Sequence, residues 1–216
     1  MSDALAKLSD AARPHHLSVF GACPIRPADN LSTKGAIVLL GPREPGFWAH
    51  VTEQAEFYDA DANPLDRWST RVISSLAAEF QGTAHFPFGK PHLPFMTWAL
   101  RSGRAWSSPV GLLVHDTAGL MVSYRGAIAM PDVTVTQPKA TRPCEACAEK
   151  PCLTACPPHA MTHGDYDIAK CHAFLDTPPG DACLSGGCLV RRSCPQGAAY
   201  DRLAAQSEYH MRQFHR

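Results

Sequence analysis

Apolar residues recur along the first 135 residues with two different periods. From Pro64 to Phe80, the residues Leu65, Trp68, Val72, Leu76 and Phe80 keep the three-to-four spacing of one buried helix face. Asn63 stands as a cap there, with Pro64 at the first helical position. Pro45–Tyr58 fits a second helix with Phe47, Trp48, Val51 and Ala55 on one side, and shorter helices are predicted over residues 2–12 and over Phe95–Leu100. Gly35–Leu40 is an unbroken apolar run stopped by Gly41-Pro42, the pattern of a strand covered on both faces. His16–Cys23 reads as a strand ended by Pro24. Val110–His115 and Leu120–Met130 read as two strands turning at Asp116–Gly119.

The periodicity then stops. Val133–Pro143 is polar with two prolines and reads as a linker, and residues 144–197 are rich in Gly, Pro and Cys with little pattern. Such a segment lacks the apolar residues for a core of its own and needs cross-links from bound metal. Residues 198–214 read as a closing helix. The expected fold is therefore α+β: an N-terminal α/β sheet-and-helix domain over residues 1–138, followed by a small ferredoxin-like domain over 139–216.

The chemistry is concentrated in that second segment. Eight of the nine cysteines lie between residues 144 and 194. Cys144, Cys147, Cys152 and Cys156-Pro157 form the first run, and Cys171, Cys183, Cys188 and Cys194-Pro195 form the second. Eight thiolates are the ligand count of two [4Fe-4S] clusters, and a Cys-Pro end is a mark of two-cluster ferredoxins, whose fourth cysteine ligates the other cluster. By analogy with that crossover, Cys144, Cys147, Cys152 and Cys194 are expected to hold one cluster, and Cys156, Cys171, Cys183 and Cys188 the other. Two zinc sites of four cysteines each would use the same count, but zinc favours paired C-x2-C knuckles and the chain has one such pair. Cys23 reads as a small buried hydrophobe. His159, His163 and His172 lie near the cysteines but are not needed as ligands. Arg191 and Arg192, between Cys188 and Cys194, read either as a solvated turn or as positive charge that raises a cluster's potential.

Charge narrows the partners. Formal net charge is zero, with 11 basic and 12 acidic residues before Pro138 and 9 and 8 after it, which argues against nucleic-acid binding. No run of 18 apolar residues exists, and the first fifteen residues lack the apolar core of a signal peptide. With no such segment, nine cysteines point to reduced thiols, a cytoplasmic location and metal binding. Asn30-Leu31-Ser32 is then a chance match to a glycosylation acceptor.

The isolated Cys171 after Asp167-Ile168-Ala169-Lys170, with a final group ending in Cys-Pro, resembles the double-cluster domain of epoxyqueuosine reductase and the reductive dehalogenases. Upstream, Trp106 to His115 and then Gly119 resemble a stretch of epoxyqueuosine reductase, although Ser108 and Pro109 stand where that family has Gly and Lys. The resemblance spans roughly residues 100–197 and implies an α/β cobalamin-binding domain beside two [4Fe-4S] clusters that reduce the cobalt. Three readings follow. The first is an iron–sulfur electron-transfer protein serving a redox partner protein or a bound cofactor. The second is a cobalamin-dependent or other cofactor-dependent reductase, and the third is a structural zinc protein. In the N-terminal domain, Trp68, Arg71, Trp98 and Trp106 are candidate pocket residues. His115, Tyr124 and Arg125, around the expected turn, are the expected contacts for a partner or cofactor.

Overall fold

The computed structural model describes residues 3–138 and 140–215. In chain order the first elements are α1 (Asp3–Ala12), β1 (Leu17–Pro24), β2 (Gly35–Pro42), α2 (Phe47–Thr52), α3 (Pro64–Glu79), β3 (Thr83–His85) and α4 (Phe95–Arg101). Then come β4 (Ala105–Ser107), β5 (Leu113–His115) and β6 (Gly126–Pro131). Six short helices follow: α5 (Pro143–Ala146), α6 (Ile168–Leu175), α7 (Asp181–Gly186), α8 (Leu189–Arg192), α9 (Pro195–Ala198) and α10 (Ala204–Phe214). The fold is α+β, with every strand pairing antiparallel. Among the described residues no helix is long and apolar enough to cross a membrane.

The described residues fall into two compact units. One lies within Met1–Arg104 and Ser123–Lys139, the other within Ala105–Val122 and Ala140–Arg216.

In the first unit four strands run in the order β1-β2-β6-β3. β2 is buried from Ala36 to Pro42, as its unbroken apolar run requires, because a strand covered on both faces has no polar side to present. α3 lies against β6 and β3, and α4 against β1 and β2. α3 buries Leu65, Trp68, Val72, Ile73 and Leu76 on one stripe. The cap predicted at Asn63 is absent: Asn63 sits in the left-handed region (φ 54°) and its side chain caps nothing. Its carbonyl instead accepts from the N–H groups of Asp66 and Arg67, both at 3.1 Å. The helix expected over Pro45–Tyr58 ends at Thr52. A tight turn at Ala55–Phe57 then exposes Ala55 and buries Glu56. Arg71 grips that buried Glu56 through Nε at 2.6 Å and Nη2 at 3.1 Å, holding its carboxyl below the usual range. Arg71 is thus a structural residue rather than a pocket residue. Trp68 and Trp98 are wholly buried in the core.

The hairpin predicted between Val110–His115 and Leu120–Met130 does not form. β5 pairs with β4, and β6 begins only at Gly126 and pairs with β2 and β3. Leu120–Val122 is not a strand. Residues 105–122, which the pattern assigns to the sheet, therefore belong to the second unit. Strands as short as β4 and β5 bury too little to hold them at the sheet, whereas Val110, Val114 and Leu120 find an apolar environment with Val190, Ala160, Met161 and the thiols. Two guanidinium groups fix the segment's backbone: Arg191 Nη1 donates to the Leu120 carbonyl at 2.5 Å and Arg202 Nη1 to that of Met121 at 3.1 Å. The predicted linker has no helix or strand from Val133 to Pro138. Lys139, within the predicted linker, lies outside the described residues, and Pro143 already opens α5. The closing helix starts at Ala204, later than predicted.

Candidate metal centres

All nine cysteines are free thiols. Cys23 is buried in β1, and loss of water pushes its pKa up to about 11, as expected of an inert core thiol. The other eight sit in or beside short helices or on tight turns, where sequence chemistry sets the backbone. Cys144 lies in α5, which opens on Pro143, and Cys147 directly follows that helix. Cys152 is in the 3-10 turn Pro151–Leu153. Cys194 precedes α9, with Pro195 at the first helical position, where proline's missing N–H and fixed φ suit a helix start. Asp167 caps α6 by accepting from the Lys170 N–H at 2.9 Å, which sets the turn that carries Cys171. Gly187 (φ 88°) makes the corner between Cys183 and Cys188. A Cβ there would stand 2.5 Å from the Ser207 Cβ of α10, so only glycine fits.

The eight thiols line two cavities. The first, of about 340 Å³, is lined by Cys144, Cys147, Cys152 and Cys194. Ser108, Pro109, Val114 and Leu120 of the 105–122 segment also contribute to its wall. The second, tighter at about 20 Å³, is lined by Cys156, Cys171, Cys183 and Cys188, with Met161, Tyr166, Leu175 and Met211 around them. Each cavity thus takes three thiols from one sequence run and one from the other, the crossover arrangement. Electrostatics follow the same grouping. Burial first, then the thiols of Cys194 and Cys147, push the Cys144 pKa up; Cys152 is raised by burial and by Cys144, Cys194 and Cys147. In the second group burial raises Cys171 and Cys183, and the neighbouring thiols of Cys188 and Cys156 add to it.

Donors point at the second set of sulfurs. The Ala160 N–H donates to the Cys156 Sγ at 3.2 Å, and the Leu189 backbone and Tyr166 hydroxyl favour the thiolates of Cys183 and Cys171 against the opposing effect of burial. At the first cavity the Ser108 hydroxyl is buried without a partner. Among the described residues, no three His, Cys, Asp or Glu side chains stand close enough to hold a single metal ion. The thiols border voids rather than converging on a point.

The polar residues proposed for the N-terminal domain divide between the two units. His115 is fully buried in the second unit, where its Nδ1 accepts from the N–H groups of Thr117 at 3.1 Å and Ala118 at 3.3 Å. Arg125 is buried in the first unit, donating to Asp66 at 2.9 Å and lying 6.0 Å from the Phe88 ring centre. Tyr124 packs against Phe20 and Phe95. Buried side chains cannot meet a partner, so His115 and Arg125 do not form the contact surface expected of them. The pattern gave no signal that Tyr166 or the Ser108 hydroxyl would line a cavity, because those cavities join residues far apart in sequence. Comparison of the chain with protein-family models, with curated proteins and with solved structures finds no match.

Proposed function

We propose that this chain is an iron–sulfur electron-transfer protein holding two [4Fe-4S] clusters, one in each cysteine-lined cavity. The observation that carries the reading is the sorting of eight thiols into two separate sets of four, each completed by a cysteine from the other run. Such clusters, when bound, take up and release single electrons. The ligand set fits this group better than zinc. Zinc needs four sulfurs about 2.3 Å from one centre, while the thiols of the first cavity surround about 340 Å³. The unpartnered Ser108 hydroxyl at the first cavity and the N–H group of Ala160 at the second supply donors to cluster or cysteine sulfur. The second cavity is narrow, so its thiols must swing outward to take a cluster.

The two sites are close along the chain. Cys152 and Cys156 belong to different sites yet are four residues apart, which limits their Cα separation to about 14 Å at full extension. Electrons can therefore pass between the sites within one unit. The resemblance to the double-cluster domain of epoxyqueuosine reductase, carried by the cysteine spacing, supports the same reading. It also suggests a reductase acting through cobalamin.

Iron, acid-labile sulfide and zinc measured on anaerobically purified protein test the proposal. About eight irons and about eight sulfides per chain are expected, about four of each per cluster. Stoichiometric zinc without sulfide refutes it. Titration of the cluster-loaded protein with hydroxocobalamin separates carrier from reductase. An unchanged corrinoid spectrum is expected of a carrier, and a saturable change at micromolar concentration favours the reductase.

A further inference from the structure

We propose that the Ser108 hydroxyl donates a hydrogen bond to a sulfur of the cluster held by Cys144, Cys147, Cys152 and Cys194, and that this bond makes that cluster easier to reduce. The inference rests on the two-cluster reading above and adds to it a residue, outside the cysteines, that sets the potential of one site.

Ser108 opens the loop that joins β4 to β5. Both of its backbone groups are used inside that loop. Its N–H donates to the Leu112 carbonyl at 2.8 Å, and its carbonyl accepts from the Gly111 N–H at 3.0 Å. Gly111 takes the positive φ (76°) that closes the loop, and a Cβ there would stand 3.2 Å from the Gly164 carbonyl oxygen. The Gly164 N–H in turn donates to the Pro109 carbonyl at 3.1 Å, and Arg142 Nη2 donates to that of Ser107 at 3.4 Å. The chain is therefore pinned on both sides of Ser108, which is itself 7% exposed.

Only the hydroxyl is left over. Ser69 and Ser102, also buried, satisfy theirs on the carbonyls of Leu65 at 2.7 Å and Ala99 at 2.6 Å. The Ser108 Oγ is buried with no such partner. A buried hydroxyl without an acceptor bears the full cost of its lost hydration, so an acceptor is expected at its site. Ser108 lines the first cavity beside Pro109, Val114 and Leu120, whose side chains offer no acceptor. Glu149 and Gln196 also line the cavity, yet neither bonds the hydroxyl. The same cavity is lined by four cysteines. Sulfur bound to iron carries negative charge and accepts from a hydroxyl, so a cluster supplies the partner that the chain does not. Reduction adds further negative charge to that sulfur. A hydrogen bond donated to it favours the reduced state, the more so against an apolar wall. The cluster takes up one electron from its donor and the hydroxyl keeps its proton. No bond is made or broken.

Spectroscopic redox titration of the full-length, cluster-loaded protein, with dithionite as donor, tests this. Iron and sulfide are counted for every variant, so that a lost cluster is distinguished from a shifted one. Ser108→Ala removes a single oxygen. It should lower one of the two one-electron steps by about threefold to tenfold in its reduction equilibrium, tenfold being about 59 mV for one electron. The other step should stay in place. The step that moves should be the one missing from Cys147→Ala, which lacks a ligand of the same site. Pulsed electron resonance of the reduced protein in heavy water should show a coupled exchangeable deuteron that Ser108→Ala removes, a signal that a merely structural serine would not give. Two full clusters whose steps both stay, both steps moving together, or movement of the step that Cys147→Ala retains overturns the inference. A protein with no labile sulfide overturns the cluster reading itself.

Discussion

Single side chains in this protein act chiefly by what they leave satisfied. Asp29, buried between β1 and β2, accepts from the Trp98 indole at 2.9 Å, from Arg101 at 2.7 and 3.1 Å, and from the Arg26 N–H at 2.7 Å. Burial opposes its charge, but the donors together outweigh that cost and hold its pKa below the usual carboxylate value. Asp29→Ala would leave Arg101 and the indole buried without their acceptor. The expected destabilisation is about 3–5 kcal/mol, read as a lower denaturation midpoint. A folded-state pKa below the unfolded one means this contribution is full above the ordinary Asp pKa and is lost only as pH falls through the lower, folded value. Around neutral pH buried histidines, His50 among them, contribute instead. The rings of His16 and His50 stack at 4.8 Å. Burial first, then His16 and His15, lower the pKa of His50. Here the unfolded state binds the proton more readily, so stability is full above the unfolded histidine pKa and declines as pH drops below it. Chemical denaturation at about pH 7.5 and about pH 5.5, on either side of the ordinary histidine pKa, should show this loss. His50→Gln should reduce it; an unchanged loss in the variant would remove His50 as its source.

At the scale of elements, the second unit is assembled from pieces too short to stand alone, and close backbone approaches hold them. Gly119 (φ 53°), at the turn that follows β5, passes so near α9 that an added Cβ would lie 2.3 Å from the Gly197 nitrogen. That contact seats α9, and with it Cys194, against the hairpin. Gly119→Ala should therefore cost the first cluster, seen as a loss of about four of about eight irons, while the far-ultraviolet dichroism of the sheet persists. Cys194→Ala should deplete the same cluster. If instead the cluster bound by Cys183 and Cys188 were lost in Cys194→Ala, the crossover would be wrong.

For the whole molecule, the two units rest on different sources of stability. The first has a sheet with wholly buried Ile37, Leu39 and Ile128 and the large side chains of Phe47, Trp68 and Trp98. In the second, three of the nine residues of one buried cluster are cysteines, Cys152, Cys156 and Cys194, so thiols stand where aliphatic groups would normally meet. Metal-free protein should consequently lose hydrogen-exchange protection across residues 140–215 and keep it in the first unit. The segment 105–122 decides how the chain is divided. It should lose protection with the cysteines; continued protection alongside β6 would tie it to the sheet instead.

Much of this was legible in the chain. The α3 stripe and the unbroken run of β2 carried their structure openly, since the spacing of apolar residues reports which face is buried wherever one element supplies a whole face. The cysteine runs carried the thiol inventory, because the number and spacing of cysteines are local chemistry. Other features depended on partners far away in sequence. Nothing within Val110–Met130 reveals that Val114 and Leu120 pack with Val190 and the thiols while Ala127 and Ile128 pack in the sheet, because both stretches are equally apolar. Nor does anything near Glu56 or His115 reveal burial of the first or the turn held by the second. Local chemistry settles most types of element, the thiol inventory and the neutral charge. Packing across the whole chain settles which thiols share a cavity, to which unit 105–122 belongs and which polar groups are sealed inside. Those are matters of long-range contact, in which the most favourable burial wins over any local preference.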